Sequence, residues 1–461
     1  MPGLSCNANQ ITVFMLTFMG YAGLHAMRTS WSYSKKILQK QDSISNEELG
    51  IVDMVFMLTY SIGLGFIGPL GDRFNRKYFI VAGYYTCALA FLVFPFCSFL
   101  FHNHSFWILV IFMGVNGLGE LVGMPGSMGI LSKWFKGEHK GLIVGMWAGC
   151  LPLGNIFGLM SSTIITQYLK LPWEYNFFFA GFYTITIATF ILLFLKPSPT
   201  DGVPQRLTVA LQDQDSISSS IEEQTQKPSV LQCFRIPRVI PYVIAYSCLK
   251  SSIYGLLFWL PKYIYEQGMA KDAGYIPSMM DCGTFFGGIF IGYLGDYMKK
   301  RSLSLAPFIF FSTAMMLVAL LFLSEHPLPY FFVIFFMGIG LGGPYNIIGT
   351  VIAIDLSEQE CVKNNKKIIS TITAIIDSSG ALCTSLTQLL LANIPSHWIF
   401  VVFAIYTFVA GASLIPLTWE DFKLYHRQSK KDAKAQSGSV ITDLTPGSIA
   451  YAGQPPLRLD I

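Results

Sequence analysis

Long apolar runs separated by short polar breaks recur near residues 10–29, 48–69, 78–101, 106–131, 141–167 and 175–195, and again near 238–262, 273–294, 303–324, 328–353, 368–393 and 398–418. Each is close to the roughly 20 residues a helix needs to cross about 30 Å of hydrocarbon. A helix also satisfies its own backbone polar groups, which lipid cannot do for it. The pattern predicts an all-α polytopic membrane protein with twelve transmembrane helices. Residues 196–236 break it with a polar, serine-rich stretch that includes DQDSISSSIEEQTQKPS, which reads as a flexible tether. The expected organisation is therefore an N-terminal six-helix bundle (1–195), a cytoplasmic linker (196–236), a C-terminal six-helix bundle (237–418) and a cytoplasmic tail (419–461). The tail loses hydrophobic periodicity and reads as disordered.

Composition agrees: of 461 residues, 52% are hydrophobic and only 13% charged, and mean hydropathy is +0.50. Lysine and arginine favour cytoplasmic loops because they are poorly translocated. Lys35, Lys36, Lys40, Lys170, Lys262 and Lys271 fall in loops on one side and Arg28 and Lys250 within spans, while every other cation of the 31 lies on the side that holds both termini. That side is expected to be cytoplasmic. The net charge of +4 is what this asymmetry leaves over and implies no nucleic-acid partner. The nine cysteines form no C-x-x-C pair, so no metal or redox chemistry is expected. The first run lacks a signal-peptide cleavage pattern and is read as a retained helix. Asn103, in an NHS sequon on the non-cytoplasmic side, is a candidate glycosylation site.

The two intramembrane cations stand out. A charge at bilayer depth costs about 2.5–3.5 kcal/mol on insertion scales, so such residues face a bundle interior or a watery path. Arg28 ends ITVFMLTFMGYAGLHAMR and Lys250 ends VIPYVIAYSCLK, 222 positions apart. GPLGDRFNRK (68–77) and GYLGDYMKKR (292–301) follow the second and eighth spans at an offset of 224, the mark of a duplicated six-span unit. Gly68, Gly71, Gly292 and Gly295 permit close helix approach, and Asp72, Arg73, Arg76, Lys77 and Asp296 supply charges for a latch at that end.

Glu120, Asp281 and Asp377 are the acids expected to be buried. Each is suited to neutralising a cation, carrying a proton or bonding across helices, with the structural role favoured for Asp281. Tyr21, Tyr60, Trp147, Tyr254 and Tyr345 lie on cavity-facing spans where their polar edges suit sugar hydroxyls, though membrane-core packing accounts for such aromatics as well. His25 shares a helix face with Arg28 and reads as a packing histidine. The prolines of GMPG and GGPY are expected to break or bend spans four and ten. No nucleophile triad, P-loop or metal cluster appears, so neither an enzyme nor a cofactor is expected.

Several segments resemble the major facilitator superfamily: GPLGDRFNRK matches its cytoplasmic loop signature, with Asn75 where glycine is usual. GYAGLHAMR, NGLGELVGMPG, KWFKGEHKGLIVGMW, LGNIFG, FWLPKYI, GGIFIGYLGD, GLGGPYNII and TAIIDSSG resemble its sugar-phosphate exchanger family. That resemblance implies a secondary transporter exchanging a phosphorylated sugar or glycerol phosphate for inorganic phosphate, with Arg28 and a seventh-span cation, here Lys250, gripping the phosphate. It also implies a multi-pass protein of the endoplasmic reticulum, other endomembranes or the plasma membrane. Bacterial members carry a second cation where this chain has Thr29. Glu120, Met124 and Leu151 also depart from usual family residues, which leaves the substrate open, as well as proton-coupled carriage of another organic anion and a non-transporting receptor of the same fold.

Overall fold

A computed structural model describes residues 7–42, 44–71, 75–101, 106–135, 140–199, 230–298, 300–321, 327–350, 352–357, 359 and 368–442, and within them the apolar runs are helical. The first half comprises α1 (Ala8–Asp42), α2 (Asn46–Gly71), α3 (Arg76–Phe101), α4 (Phe106–Glu120), α5 (Gly123–Trp134), α6 (Lys140–Ala148), α7 (Cys150–Thr163) with a wider turn at Ile164–Tyr168, and α8 (Glu174–Phe194). The second comprises a short α9 (Val230–Phe234), α10 (Val239–Glu266), α11 (Tyr275–Met298), α12 (Ser302–Leu321), α13 (Pro327–Thr350), a short α14 (Ile352–Ser357), α15 (Ile368–Asn393) and α16 (Ile399–Thr442). α4 with α5, and α6 with α7, each make one crossing, so the described residues hold twelve spans. Nine of these are long and apolar enough by composition alone. α1, α2 and α11 are as long and supply the other three.

The duplication read from the loop motifs is written in the packing. α1 lies on α7 and α8, α3 on α8, and α2 on α4; in the second half α10 lies on α15 and α16, α12 on α16, and α11 on α13. The first, second and third spans of each half thus choose the same partners. Between halves α2 packs along α15, α7 along α11 and α1 along α10, a set that maps onto itself when the halves are exchanged. The fold is two pseudo-symmetric six-helix bundles.

Four sequence expectations need correction. α1 runs on to Asp42, so Lys35, Lys36 and Lys40 are helical rather than in a loop, and Lys262 likewise belongs to α10. α16 continues to Thr442 through the start of the expected tail, because Asp421 is buried against Arg238 and Ser302 and ties the extension down. Span four does break as expected, at Leu121–Val122, and Leu121 is the residue whose carbonyl Pro125 would crowd from four positions on. Pro344 does not break its span: α13 is helical through it. Asn103, Asp72, Arg73, residues 200–229 of the linker and residues beyond 442 lie outside the described residues.

Candidate functional site

Three stripes at helical spacing build the centre of the molecule. Tyr21, His25, Arg28, Ser32 and Lys35 follow one face of α1; Asp53, Phe56 and Tyr60 one face of α2; Tyr246, Lys250, Tyr254 and Phe258 one face of α10. Spacings of three and four keep side chains on one side of a helix, and these stripes face the junction of the bundles. Arg28 is 4% exposed and Lys250 1%, so neither faces lipid.

Arg28 pairs with Glu120, at the end of α4, through Nη2 and Oε2. Its guanidinium lies over the rings of Phe56 (5.2 Å) and Tyr254 (4.9 Å). Lys250 Nζ donates to Asp377 Oδ1 of α15 at 2.5 Å, and Tyr246 donates to the same oxygen at 3.0 Å. The ammonium lies 5.3 Å from the Tyr60 ring and 5.7 Å from that of Tyr254. Tyr254 is therefore shared, and the two charges are no farther apart than their two distances to its centroid laid end to end. A side chain at Gly380 would lie 2.9 Å from Lys250 Cδ, so that glycine makes room for the lysine.

Each of the two cations is neutralised by a carboxylate of its own half, one of the roles the sequence offered for Glu120 and Asp377, because a buried charge without a partner is costly. Arg28 Nε and Nη1 and Glu120 Oε1 still have no hydrogen-bond partner. An anion entering here meets open donors on Arg28 and competes with Glu120 and Asp377 for the cations.

The other expected residues divide into direct neighbours and supports. Tyr60 and Tyr254 touch the cations. Tyr21 stacks on Trp147 at 5.4 Å, whose Nε1 donates to Thr17 at 3.1 Å, and Tyr345 stacks on Tyr246 at 5.1 Å; these rings brace the stripes. Of the loop motif, Arg76 donates to the Gly129 carbonyl at 3.0 Å, Asn75 Oδ1 caps the Lys77 N–H, and Gly292 and Gly295 face Ile347 and Ser304. Gly68, Gly71 and Asp296 are helical, and their side-chain surroundings are outside the description.

Sequence reasoning missed Phe56, Tyr246 and Asn155, although Tyr246 lies one turn before Lys250 and Asn155 is a polar residue inside an apolar span. It also missed a second charged cluster where α1 ends. Buried Lys35 pairs with Asp53, which accepts from Trp31 at 2.7 Å, and reaches across to the Phe258 carbonyl at 3.1 Å. Beside it Lys36 bridges the halves to Glu266 at 2.8 Å, and Glu266 also accepts from Lys262 (2.8 Å) and Ser396 (2.6 Å). The bundles are latched together on that side.

Asn155 has the most connected position. A Cβ at Gly154 or Gly158 would run into the α1 backbone at Ala22 or Ala26, so these glycines seat α7 directly on α1. His25 Nδ1 lies 3.2 Å from Asn155 Oδ1, and Asn155 Nδ2 donates across the halves to Asp281 Oδ1 at 2.8 Å.

Comparison with known proteins gives a matching context. The family model described as the Major Facilitator Superfamily matches residues 6–360. The chain is 29% identical over 458 residues to a putative glycerol-3-phosphate transporter 5 of Arabidopsis thaliana, covering 90% of this chain and 92% of that one. It is 29% identical over 484 residues to sugar phosphate exchanger 3 of Mus musculus, covering 92% and 96%. Among solved structures, the xylose transporter XylE from E. coli superposes with a TM-score of 0.68 at 12% identity, over 88% of this chain and 97% of that one. A bacterial homolog of the human lysosomal transporter Spinster superposes with a TM-score of 0.60 at 14% identity, over 89% and 99%.

Proposed function

The chain belongs to the major facilitator superfamily and is a transporter rather than an enzyme, and from that premise we propose that it exchanges a phosphorylated sugar or glycerol phosphate for inorganic phosphate by alternating access. The observation that carries this reading is the placing of Arg28 from one half and Lys250 from the other against one ring, Tyr254, in a buried junction with open guanidinium donors. Arginine forks two hydrogen bonds to a phosphoryl group, whereas lysine adds a point charge. Together they suit a phosphate ester, the cargo named for both relatives.

The substrate site comprises Arg28, Lys250, Glu120, Asp377, Tyr60 and Tyr254, with Tyr21, Trp147 and Tyr345 shaping it. Between anions, Glu120 and Asp377 keep the cations neutral, and such pairs lie within a half and do not tie the halves together. A phosphate held by both cations does tie them. Ligand-linked preference of this kind biases the rocking of 1–195 against 237–418, so the carrier reorients loaded and exchange follows. The GxLGD loops latch the cytoplasmic end in alternation with the Lys36–Glu266 cluster. In this reading both termini are cytoplasmic and the membrane is that of the endoplasmic reticulum.

The test is uptake of labelled phosphate by proteoliposomes loaded with inorganic phosphate, glycerol 3-phosphate or glucose 6-phosphate. Loaded vesicles are expected to take up label and empty ones not. Arg28→Ala abolishes uptake without preventing insertion, Lys250→Arg retains part of it and Lys250→Ala little. Uptake driven by a proton gradient into empty vesicles would replace exchange with proton-coupled carriage, and binding without uptake would leave a receptor.

A further inference from the structure

Asp281 is a buried acid for which neither the cation pairs nor the latch has a use. It lies on α11, is 5% exposed, and its one recorded side-chain bond is from the neutral amide of Asn155 across the seam between halves. Among the described residues no Lys, Arg or His pairs with it. α7, α12 and α13 contain no Asp, Glu, Lys, Arg or His at all. On α10, Lys250 is engaged with Asp377, and Lys262 with Glu266. From α1, Arg28 is engaged with Glu120, and His25 stands behind Asn155. Asp296 lies four turns along α11 itself, and the thiols Cys150 and Cys282 are the nearest uncharged titratable groups in sequence to this contact. Glu120, Asp377 and Asp53 each hold a cation; Asp281 differs from them all.

An ionised carboxylate with a single neutral donor, closed between helices at membrane depth, is strongly disfavoured. We propose that Asp281 is a proton-binding site, separate from the two cation–carboxylate pairs, whose occupancy is linked to closing of the α7–α11 seam. As the seam closes, a proton from water adds to a carboxylate oxygen and an O–H bond forms. Asn155 goes on donating to Oδ1, so no other bond changes. When the seam parts and water reaches the group, the O–H bond breaks and the proton returns to solvent. The Asn155 bridge extends the effect to the substrate side. With its amide N–H turned to Asp281, its oxygen faces His25 Nδ1 and fixes the proton there, leaving Nε2, which is buried and without a partner, as an acceptor one turn from Arg28. The role in transport rests on the alternating-access reading above; the proton site itself does not.

Two measurements decide it. Infrared spectra of the purified protein in lipid should contain a protonated-carboxyl band that Asp281→Asn removes and Asp281→Glu shifts; spectra without such a band, or with one untouched by both substitutions, overturn the proposal. In phosphate-loaded proteoliposomes, labelled-phosphate exchange is then compared between wild type and Asp281→Asn from pH 6 to pH 8, equal on both sides. Asparagine still accepts from Asn155, and phosphate's own titration is common to both proteins, so the ratio of rates isolates the site. One linked proton makes that ratio fall by up to about tenfold per pH unit once the acid is ionised. A flat ratio overturns the proton linkage. Absence of exchange in both proteins at every pH would instead refute the exchange reading, and the infrared result would still decide the proton site.

Discussion

Glu120→Gln probes the competition between protein carboxylate and substrate anion for Arg28. Unit charges about 4 Å apart interact by roughly 4 kcal/mol at an effective dielectric near 20. Breaking a buried pair by removing one partner costs about 3–5 kcal/mol. Glutamine preserves the size and one acceptor of Glu120, and a neutral acceptor is worth roughly half a charged one, so about 1.5–2.5 kcal/mol of competition disappears. An anion that takes over Arg28 recovers that difference. At about 1.4 kcal/mol per factor of ten, phosphate should bind roughly ten- to sixtyfold more tightly. Release slows correspondingly, because Glu120 normally reclaims the guanidinium at the end of each turnover. Calorimetric titration with inorganic phosphate gives the affinity, and labelled-phosphate exchange at saturating phosphate gives the rate. Tighter binding with slower exchange is expected. Weaker or unchanged binding with a wild-type rate would show that Glu120 and the anion do not share Arg28.

Tyr254→Phe keeps the ring between the two cations and should retain most phosphate affinity, while Tyr254→Ala removes two cation–π contacts of about 0.5–2 kcal/mol each and should weaken binding by at least about fivefold in the same titration. Lys36→Met leaves Glu266 with Lys262 and Ser396 but cuts the ion pair from Lys36 to Glu266 across the halves; labelling of a cysteine placed at Lys36's neighbour Gln39 by a membrane-impermeant thiol reagent should rise, and unchanged labelling would mean the latch lies elsewhere. Asp421→Asn weakens the ties from Arg238 and Ser302 to the final helix and should lower the melting temperature without altering phosphate affinity, because the site is far along the bundle; loss of affinity at unchanged stability would contradict that division.

The sequence made the spans, the duplication and the two cations legible, for a physical reason. Lipid demands twenty-residue apolar runs, and the cost of charge in those runs makes Arg28 and Lys250 conspicuous against their background. What it hid was pairing. Glu120 and Asp377 were visible as acids, but which cation each one holds depends on α4 meeting α1 and α15 meeting α10, which no local pattern encodes. Lys35 and Lys36 were misplaced because three lysines follow the apolar run before α1 itself ends; their charges are balanced by Asp53 of the next helix and by Glu266 of the other half. Pro125 and Pro344 look alike in sequence, yet only the first coincides with a break. The extension of α16 past Thr418 was illegible in the same way, because it depends on Arg238 at the start of another helix.

The central claim is that one anion is held simultaneously by a cation from each bundle. A density map of the protein with bound glycerol 3-phosphate tests it most directly. The account expects the phosphoryl group within hydrogen-bonding distance of both Arg28 and Lys250, with Glu120 drawn off the guanidinium; a phosphoryl group on one cation alone, or seated at the Lys36 cluster, would contradict it.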